Sequence, residues 1–166
     1  MFTMADNQVE FNTVWYQGVK GNGKIQSGES LKTSIAIPEL KGGSGDGTEP
    51  FRMLVSSTIA CYVMTLTFML HQNKLPVSGL YMNTEASETK EKGIVITHYP
   101  HLILMEEANE DQIKTAQNLV DEAEKKCHIG NFVKQAGAQI SVAGKVSLLS
   151  DVDEVSDYVD KHGLDW

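Results

Sequence analysis

The chain is poor in cysteine and in basic residues. Two cysteines, Cys61 and Cys127, occur in 166 residues, which is too few for the disulfide framework of a small secreted protein. Lysine and arginine together number 14, against 22 aspartates and glutamates, so the formal net charge is −8. This balance argues against a protein that neutralises nucleic-acid phosphates, and against one that binds membranes through a polybasic surface.

The first residues, MFTMADNQVEFN, contain neither the basic segment nor the apolar run of a secretory signal. We therefore expect a cytoplasmic protein in a reducing compartment, where a disulfide is more often transient chemistry than structural support. The composition, 41% hydrophobic and 22% charged, is ordinary for a folded domain. A chain of this length buries a sizeable core without the help of disulfide bonds.

One long uncharged run, residues 53–70, reaches the lower length limit of a membrane span. It carries several aliphatic hydroxyls, and amphipathic elements are predicted on both sides of it. We interpret it as a core helix that is apolar nearly all round because it is covered nearly all round. No membrane association is predicted.

The first third of the chain predicts a small sheet followed by that helix. Alternation favours a strand over residues 9–19, the Gly21-Asn22-Gly23 signal predicts a hairpin turn, and a third strand ends at Pro38. A glycine-rich loop, residues 42–47, then leads to Thr48 as the expected helix N-cap. The helix is predicted to run from Pro50 to about His71.

The rest of the chain groups its strands and helices in blocks. Two strands are predicted over 78–89 and 93–105, with Pro100 breaking or edging the second. A capping-box pattern at 109–112 starts a helix that ends near Cys127. A short helical or turn segment, a final strand over 138–149 and an acidic amphipathic helix over 150–161 follow. We therefore predict an α+β fold, with one domain over 1–148 and an acidic helical tail over 149–166.

Several common site motifs are missing. The glycine-rich loop has no lysine where a P-loop requires one, and neither GxGxxG nor GxSxG occurs. His98 and His101 are three residues apart on a predicted strand, so their side chains are expected on opposite faces. We predict no metal site and no cofactor.

The two cysteines are the remaining candidates for chemistry. Cys61 shares one helix face with hydroxyl side chains at Ser57, Thr58 and Thr65. Taken alone, that pattern favours a buried inert thiol beside hydroxyls that bond to their own backbone. Cys127 is predicted at a helix C-terminus, where the dipole disfavours a thiolate. If the two act together, Cys61 is the better attacking thiol and Cys127 the better second partner.

The segment GSGDGTEPFRMLVSSTIAC, which ends at Cys61, resembles the glycine loop, GTNPE and cysteine-bearing helix of the OsmC/Ohr family of thiol peroxidases. The segment AEKKCHIGN, around Cys127, resembles that family's second-cysteine motif. The predicted order of strands and helices is also similar, and the resemblance covers about residues 14–148.

The resemblance implies antiparallel sheets wrapped around long buried central helices in an intertwined homodimer. It implies reduction of organic hydroperoxides, with Cys61 forming a sulfenic acid and Cys127 resolving it as a disulfide. An external dithiol would then reduce the disulfide, and in the Ohr branch a lipoylated protein fills that role. The implied apolar substrate pocket takes in Phe51, Leu54, Met64 and Phe68.

The sequence departs from the family pattern at charged positions. Phe51 stands where the family has a glutamate, with Glu49 two residues away, and His128 replaces a proline after the second cysteine. The single arginine, Arg52, is not at the family's arginine position, so Lys41 or Lys24 is the candidate cation. These departures keep two alternatives open. One is an OsmC-like protein that binds an apolar ligand or performs other sulfur chemistry, and the other is a dimeric scaffold.

Overall fold

The structure, a computed structural model, describes residues 8–166 and divides into two compact units at Leu54. The first unit ends at that residue, and the second is Val55–Trp166. The helix α1, Pro50–Gln72, begins in the first and continues in the second. The single domain over 1–148 with a tail over 149–166 stays a prediction.

The first unit contains an antiparallel sheet in the order β1, β2, β3, formed by Asn12–Tyr16, Asn22–Ser27 and Leu31–Ala36. The predicted hairpin is present, but its turn lies earlier than Gly21-Asn22-Gly23, because Tyr16 already pairs with Asn22. Gly23 lies inside β2, where a Cβ atom would come within 2.4 Å of the Val14 carbonyl oxygen. That glycine therefore permits close packing between strands rather than a turn.

The glycine-rich loop folds back on the end of β3. The Gly45 N–H donates to the Ile37 carbonyl at 3.0 Å, and the Gly43 N–H donates to the Pro38 carbonyl at 3.1 Å. Backbone donors that a phosphate would need are thus used within the loop. The loop closes on its own strand and delivers the chain to α1.

The predicted N-cap of α1, Thr48, is wrong. Thr48 is held beside β3, since its N–H donates to the Ser34 carbonyl at 2.8 Å and its carbonyl accepts from Ala36 at 3.1 Å. The Glu49 carboxylate instead accepts the first free amides of the helix, those of Phe51 at 2.8 Å and Arg52 at 2.9 Å. A carboxylate at this end also suits the helix dipole.

A four-stranded mixed sheet forms one layer of the second unit. Strands β4, Val77–Thr89, and β5, Gly93–Leu104, are antiparallel. The predicted final strand is two short strands, β6, Gln139–Val142, and β7, Lys145–Leu148, both parallel to β5.

Pro100 neither ends nor edges β5, in contrast to the prediction. It lies inside the strand, opposite Met82 on β4. On the other side of β5 the neighbouring strand changes at this point, because β6 pairs with β5 as far as His98 and β7 pairs with it from His101. Proline has no N–H to donate to a ladder. The break between β6 and β7 lets a central strand accommodate it.

Three further helices belong to the second unit: α2, Glu110–Lys126, α3, His128–Gln135, and α4, Glu154–His162. The predicted capping box at Asn109 and Gln112 is confirmed. Helix α4 starts later than predicted because Asp153 caps it, accepting from the Ser156 amide at 3.1 Å. It contacts the sheet through Tyr158, whose hydroxyl donates to the Met82 carbonyl at 2.9 Å.

Side chains from α1, α2 and the sheet make the core of the second unit, including Tyr62, Leu66, Leu102, Leu104, Val120 and Ala123. The expectation that α1 is covered nearly all round is wrong for the single chain, because only 33% of its apolar stretch is buried. One side packs into this core, whereas Met64 is 66% exposed. By length and composition α1 is also the one helix within residues 8–166 that could cross a membrane. A core helix passes the same test.

We expect Gly144→Ala to lower the free energy of unfolding by about 1–3 kcal/mol, as overpacking does. Gly144 separates β6 from β7, and its Cβ atom would lie 2.4 Å from Val120 Cγ1 and 2.8 Å from Pro100 Cγ. Urea unfolding measures the change. The control is Gly18→Ala, whose Cβ atom meets nothing within 4 Å. Equal unfolding midpoints for Gly144→Ala and the wild type would contradict this packing.

Candidate functional site: a contact between two cysteines

The second unit brings Cys61 and Cys127 together, because two consecutive amides, at positions 129 and 130, donate to their two sulfurs. Cys61 lies on α1 and is half-buried, whereas Cys127 is only 3% exposed. Tyr62, the residue after Cys61, holds α1 against α2, because its buried hydroxyl donates to the Val120 carbonyl on α2 at 2.8 Å. Two thiols far apart in the sequence therefore share one site.

Cys127 occupies a sharp turn in the chain. It is both the C-cap of α2 and the N-cap of α3, with φ −70° and ψ 110°. Its sulfur accepts the Gly130 N–H at 3.4 Å, and the Ile129 N–H donates to the Cys61 sulfur at 3.4 Å. A Cβ atom at position 130 would come within 3.1 Å of the Cys127 sulfur, so glycine gives that sulfur room.

The two sulfurs are electrostatically unequal. Burial raises the pKa of Cys127 to about 12, and the hydrogen bond to Cys61 and the negative charge of Glu124 act in the same direction. The Gly130 N–H opposes them. Cys127 is consequently a neutral thiol at physiological pH, able to donate its proton to the Cys61 sulfur.

Further side chains surround Cys127, and the sequence pointed to neither Tyr62 nor Glu124 among them. Tyr62, His98 and Glu124 line one small void with it. The His98 ring stacks on Tyr62 with centroids 5.2 Å apart, and burial lowers the pKa of His98, which keeps the ring neutral. Glu124 forms an ion pair with Lys134. Because that pair joins α2 to α3, helical spacing within one helix does not reveal it.

Thr58, one of the hydroxyl side chains predicted to share a helix face with Cys61, hydrogen-bonds to its own helix. That side chain is fully buried and its hydroxyl donates to the Val55 carbonyl of the same helix at 2.7 Å. Back-bonding of this kind is the ordinary behaviour of threonine inside a helix.

The other predicted site residues fall in two places. Phe51 and Leu54 belong to the first unit with Lys41 and Glu49, and Glu49 caps α1. The second unit holds Met64 and Phe68, both exposed on α1. Their roles as charge partners and pocket residues stay predictions.

The first unit carries an apolar groove of about 700 Å³. Strand residues and the start of α1 line it, among them Trp15, Ile25, Ile35, Met53 and Leu54. Lys41 also lines the groove and contributes a positive charge to an otherwise apolar surface. Such a lining suits an alkyl or aryl group.

His98 and His101 lie on opposite faces of β5, as strand alternation predicts. His98 bonds Thr84 through Nδ1 at 2.9 Å, whereas His101 bonds Tyr81 and Ser147 on the side covered by α4. Burial lowers the pKa of both rings. Within residues 8–166 no three His, Cys, Asp or Glu side chains are grouped to hold a metal ion.

Comparison with known proteins identifies the family. The family model described as OsmC-like protein matches residues 43–143. A Bacillus subtilis protein named uncharacterized protein YmaD is 32% identical, and the match covers 86% of this chain and 100% of that protein. The chain belongs to the OsmC-like protein family.

Solved structures share the fold. An OsmC-like protein from Mycoplasma pneumoniae has a TM-score of 0.65 at 18% identity, covering 86% of this chain and 99% of that one. The organic hydroperoxide resistance protein OhrB of Bacillus subtilis has a TM-score of 0.56 at 17% identity, covering 85% and 100%. The predicted OsmC/Ohr-like α+β fold is thereby confirmed.

We expect iodoacetamide to modify Cys61 well before Cys127 at neutral pH. Cys127 is buried and its pKa is raised, so it offers very little thiolate, and the thiolate is the nucleophile. Time-resolved peptide mass spectrometry measures both rates in one sample, with C61S and C127S as controls. Equal rates in the folded wild type would contradict the asymmetry.

Proposed function

We propose that this protein is a thiol-dependent peroxidase that reduces organic hydroperoxides through Cys61 and Cys127. The observation that carries the proposal is the position of the two sulfurs at consecutive amides of α3, one sulfur on a half-buried residue and the other on an almost fully buried one. Membership of the OsmC-like family supports it, as does the likeness to a structure named for organic hydroperoxide resistance.

The first step oxidises Cys61. Its thiolate sulfur attacks the outer oxygen of the hydroperoxide, so that an S–O bond forms while the O–O bond breaks. The leaving alkoxide takes a proton from water and becomes an alcohol. Cys61 is left as a sulfenic acid, and the peroxide has been reduced by two electrons.

The second step uses Cys127, which already touches Cys61. Its thiol loses a proton, its sulfur attacks the Cys61 sulfur, and the hydroxyl group leaves with a proton as water. An external dithiol then reduces the disulfide by two exchange steps. We propose a lipoylated protein as that dithiol and the cytoplasm as the reducing compartment.

Accessibility sets the order of the two cysteines. A substrate from solvent reaches the half-buried Cys61 more readily than Cys127, and a neutral buried thiol is a poor first nucleophile. The apolar side chains predicted for the pocket, those of Phe51, Leu54, Met64 and Phe68, would favour organic peroxides.

The apolar groove of the first unit favours a second candidate function. A volume of about 700 Å³ with an almost wholly apolar lining fits a small hydrophobic ligand. In that case the protein binds an apolar ligand or performs sulfur chemistry other than peroxide reduction. Peroxide treatment separates the two candidates.

One equivalent of a small alkyl hydroperoxide added to the reduced protein should remove both free thiols and lower the intact mass by two hydrogens. C127S should accumulate sulfinic or sulfonic acid on Cys61, since nothing resolves its sulfenic acid. C61S should no longer consume peroxide. Mass spectrometry and a thiol assay report these results. Unchanged thiols in the wild type would end the peroxidase proposal in favour of the second candidate.

We also propose that a second copy of the chain covers the exposed side of α1, forming a homodimer. Met64 on α1 is 66% exposed and Phe132 on α3 is 67% exposed. Large apolar side chains left open on a helix that is mainly uncharged favour burial against a partner. The homodimer implied by the family resemblance supplies such a partner.

We expect Met64→Glu to shift the protein from dimer to monomer, because a carboxylate would have to be buried in the interface. Light scattering coupled to size-exclusion chromatography, without detergent, measures the mass. The control is Asn118→Glu, which adds the same charge at an exposed position of α2. A wild type that is monomeric, or that floats with lipid vesicles, would contradict the homodimer.

A further inference from the structure

The peroxidase proposal leaves open what stabilises negative charge on Cys61. The family's arginine is not matched in this sequence, and the one arginine, Arg52, lies in the first unit near the start of α1. In the second unit, the donor aimed at the Cys61 sulfur from the backbone is the Ile129 N–H, at 3.4 Å.

The position of that donor follows from the turn at Cys127. The first-turn amides of a helix have no carbonyl partner within the helix, and the helix dipole places partial positive charge there. Helix α3 has eight residues and begins directly after Cys127. Its amides at positions 129 and 130 donate to the sulfurs of Cys61 and Cys127 respectively.

An ion pair between α2 and α3 lies near this turn. Glu124 on α2 raises the pKa of Cys127, but Glu124 is paired with Lys134 on α3. The buried Cys127 side chain lies beside Cys61, which contributes to the raised pKa of Cys127. The groups beside the Cys61 sulfur are therefore the Ile129 backbone N–H and the Cys127 thiol.

We propose that the first turn of α3, through the Ile129 N–H and together with the Cys127 thiol, stabilises negative charge on the Cys61 sulfur in place of a cationic side chain. The proposal deepens the peroxidase assignment, since it explains how Cys61 is made reactive. Ile129 acts as a positioning residue through its backbone, and its side chain is not required.

The test removes that one N–H. An ester at position 129, made by replacing Ile129 with the corresponding hydroxy acid, keeps the side chain and deletes the donor. We expect alkylation of Cys61 by iodoacetamide at pH 7 to slow about tenfold, which corresponds to about 1.4 kcal/mol for a hydrogen bond to a charged group. The rate plateau at high pH should be unchanged, so only the midpoint of the pH profile moves.

The matched control is an ester at position 131. The Asn131 N–H donates to the Cys127 carbonyl at 2.9 Å, so this ester removes a bond of the same turn that ends on oxygen rather than on sulfur. Simpler variants are Ile129→Pro, which also lacks the N–H and is tolerated in a first helical turn, and Ile129→Ala, which keeps it. Peptide mass spectrometry follows Cys61, and circular dichroism checks the helix content.

A midpoint that rises only when the position 129 donor is removed supports the proposal. An unchanged midpoint in the folded position 129 ester overturns it, and so does an equal rise in the position 131 ester. Alkylation needs no peroxide, so the outcome is independent of the peroxidase assignment. A protein that shows the midpoint shift yet ignores alkyl hydroperoxide would keep this inference and lose that function.

Discussion

The chain turn at Cys127 is the constraint on which the cysteine site depends. One residue, Cys127, ends α2 and begins α3, and its own sulfur is buried there. The same turn places the Ile129 N–H at the Cys61 sulfur on α1. The Tyr62 hydroxyl anchors α1 to α2 one residue away from Cys61. Both features hold the two sulfurs in one site.

The sheet of the second unit is linked to this site through α2. Strand β5 has to accommodate Pro100 in its interior, and it does so because its outer neighbour is divided into β6 and β7. Gly144, in the gap between them, lies against Val120 and Pro100. Val120 also accepts the Tyr62 hydrogen bond. Packing at the sheet is thereby linked to the helix that carries Cys61.

Features governed by local pattern could be predicted from the sequence. The capping box at Asn109, the length of α1 and the opposite faces of His98 and His101 depend on near neighbours in the chain. The cap at Glu49 could not be predicted, since it depends on the pairing of Thr48 with β3. The position of Gly23 inside β2 could not be predicted either, since it depends on the neighbouring strand β1. From the sequence alone, the Gly21-Asn22-Gly23 segment favours a turn and Thr48 favours a helix cap, because both residue types are common at such positions.

The cysteine site too could be predicted only in part from the sequence. The family resemblance implied that Cys61 and Cys127 work together, but neither the donor at Ile129 nor the pairing of Glu124 with Lys134 follows from residue type. A backbone amide is present at every position except proline, so the sequence carries no signal for which one points at a sulfur. A sequence pattern that requires a cationic side chain near Cys61 therefore does not identify the Ile129 N–H. Burial raises the pKa of Cys127, and the first turn of α3 aims a backbone N–H at the Cys61 sulfur, so the difference between the two cysteines arises from the fold rather than from residue type.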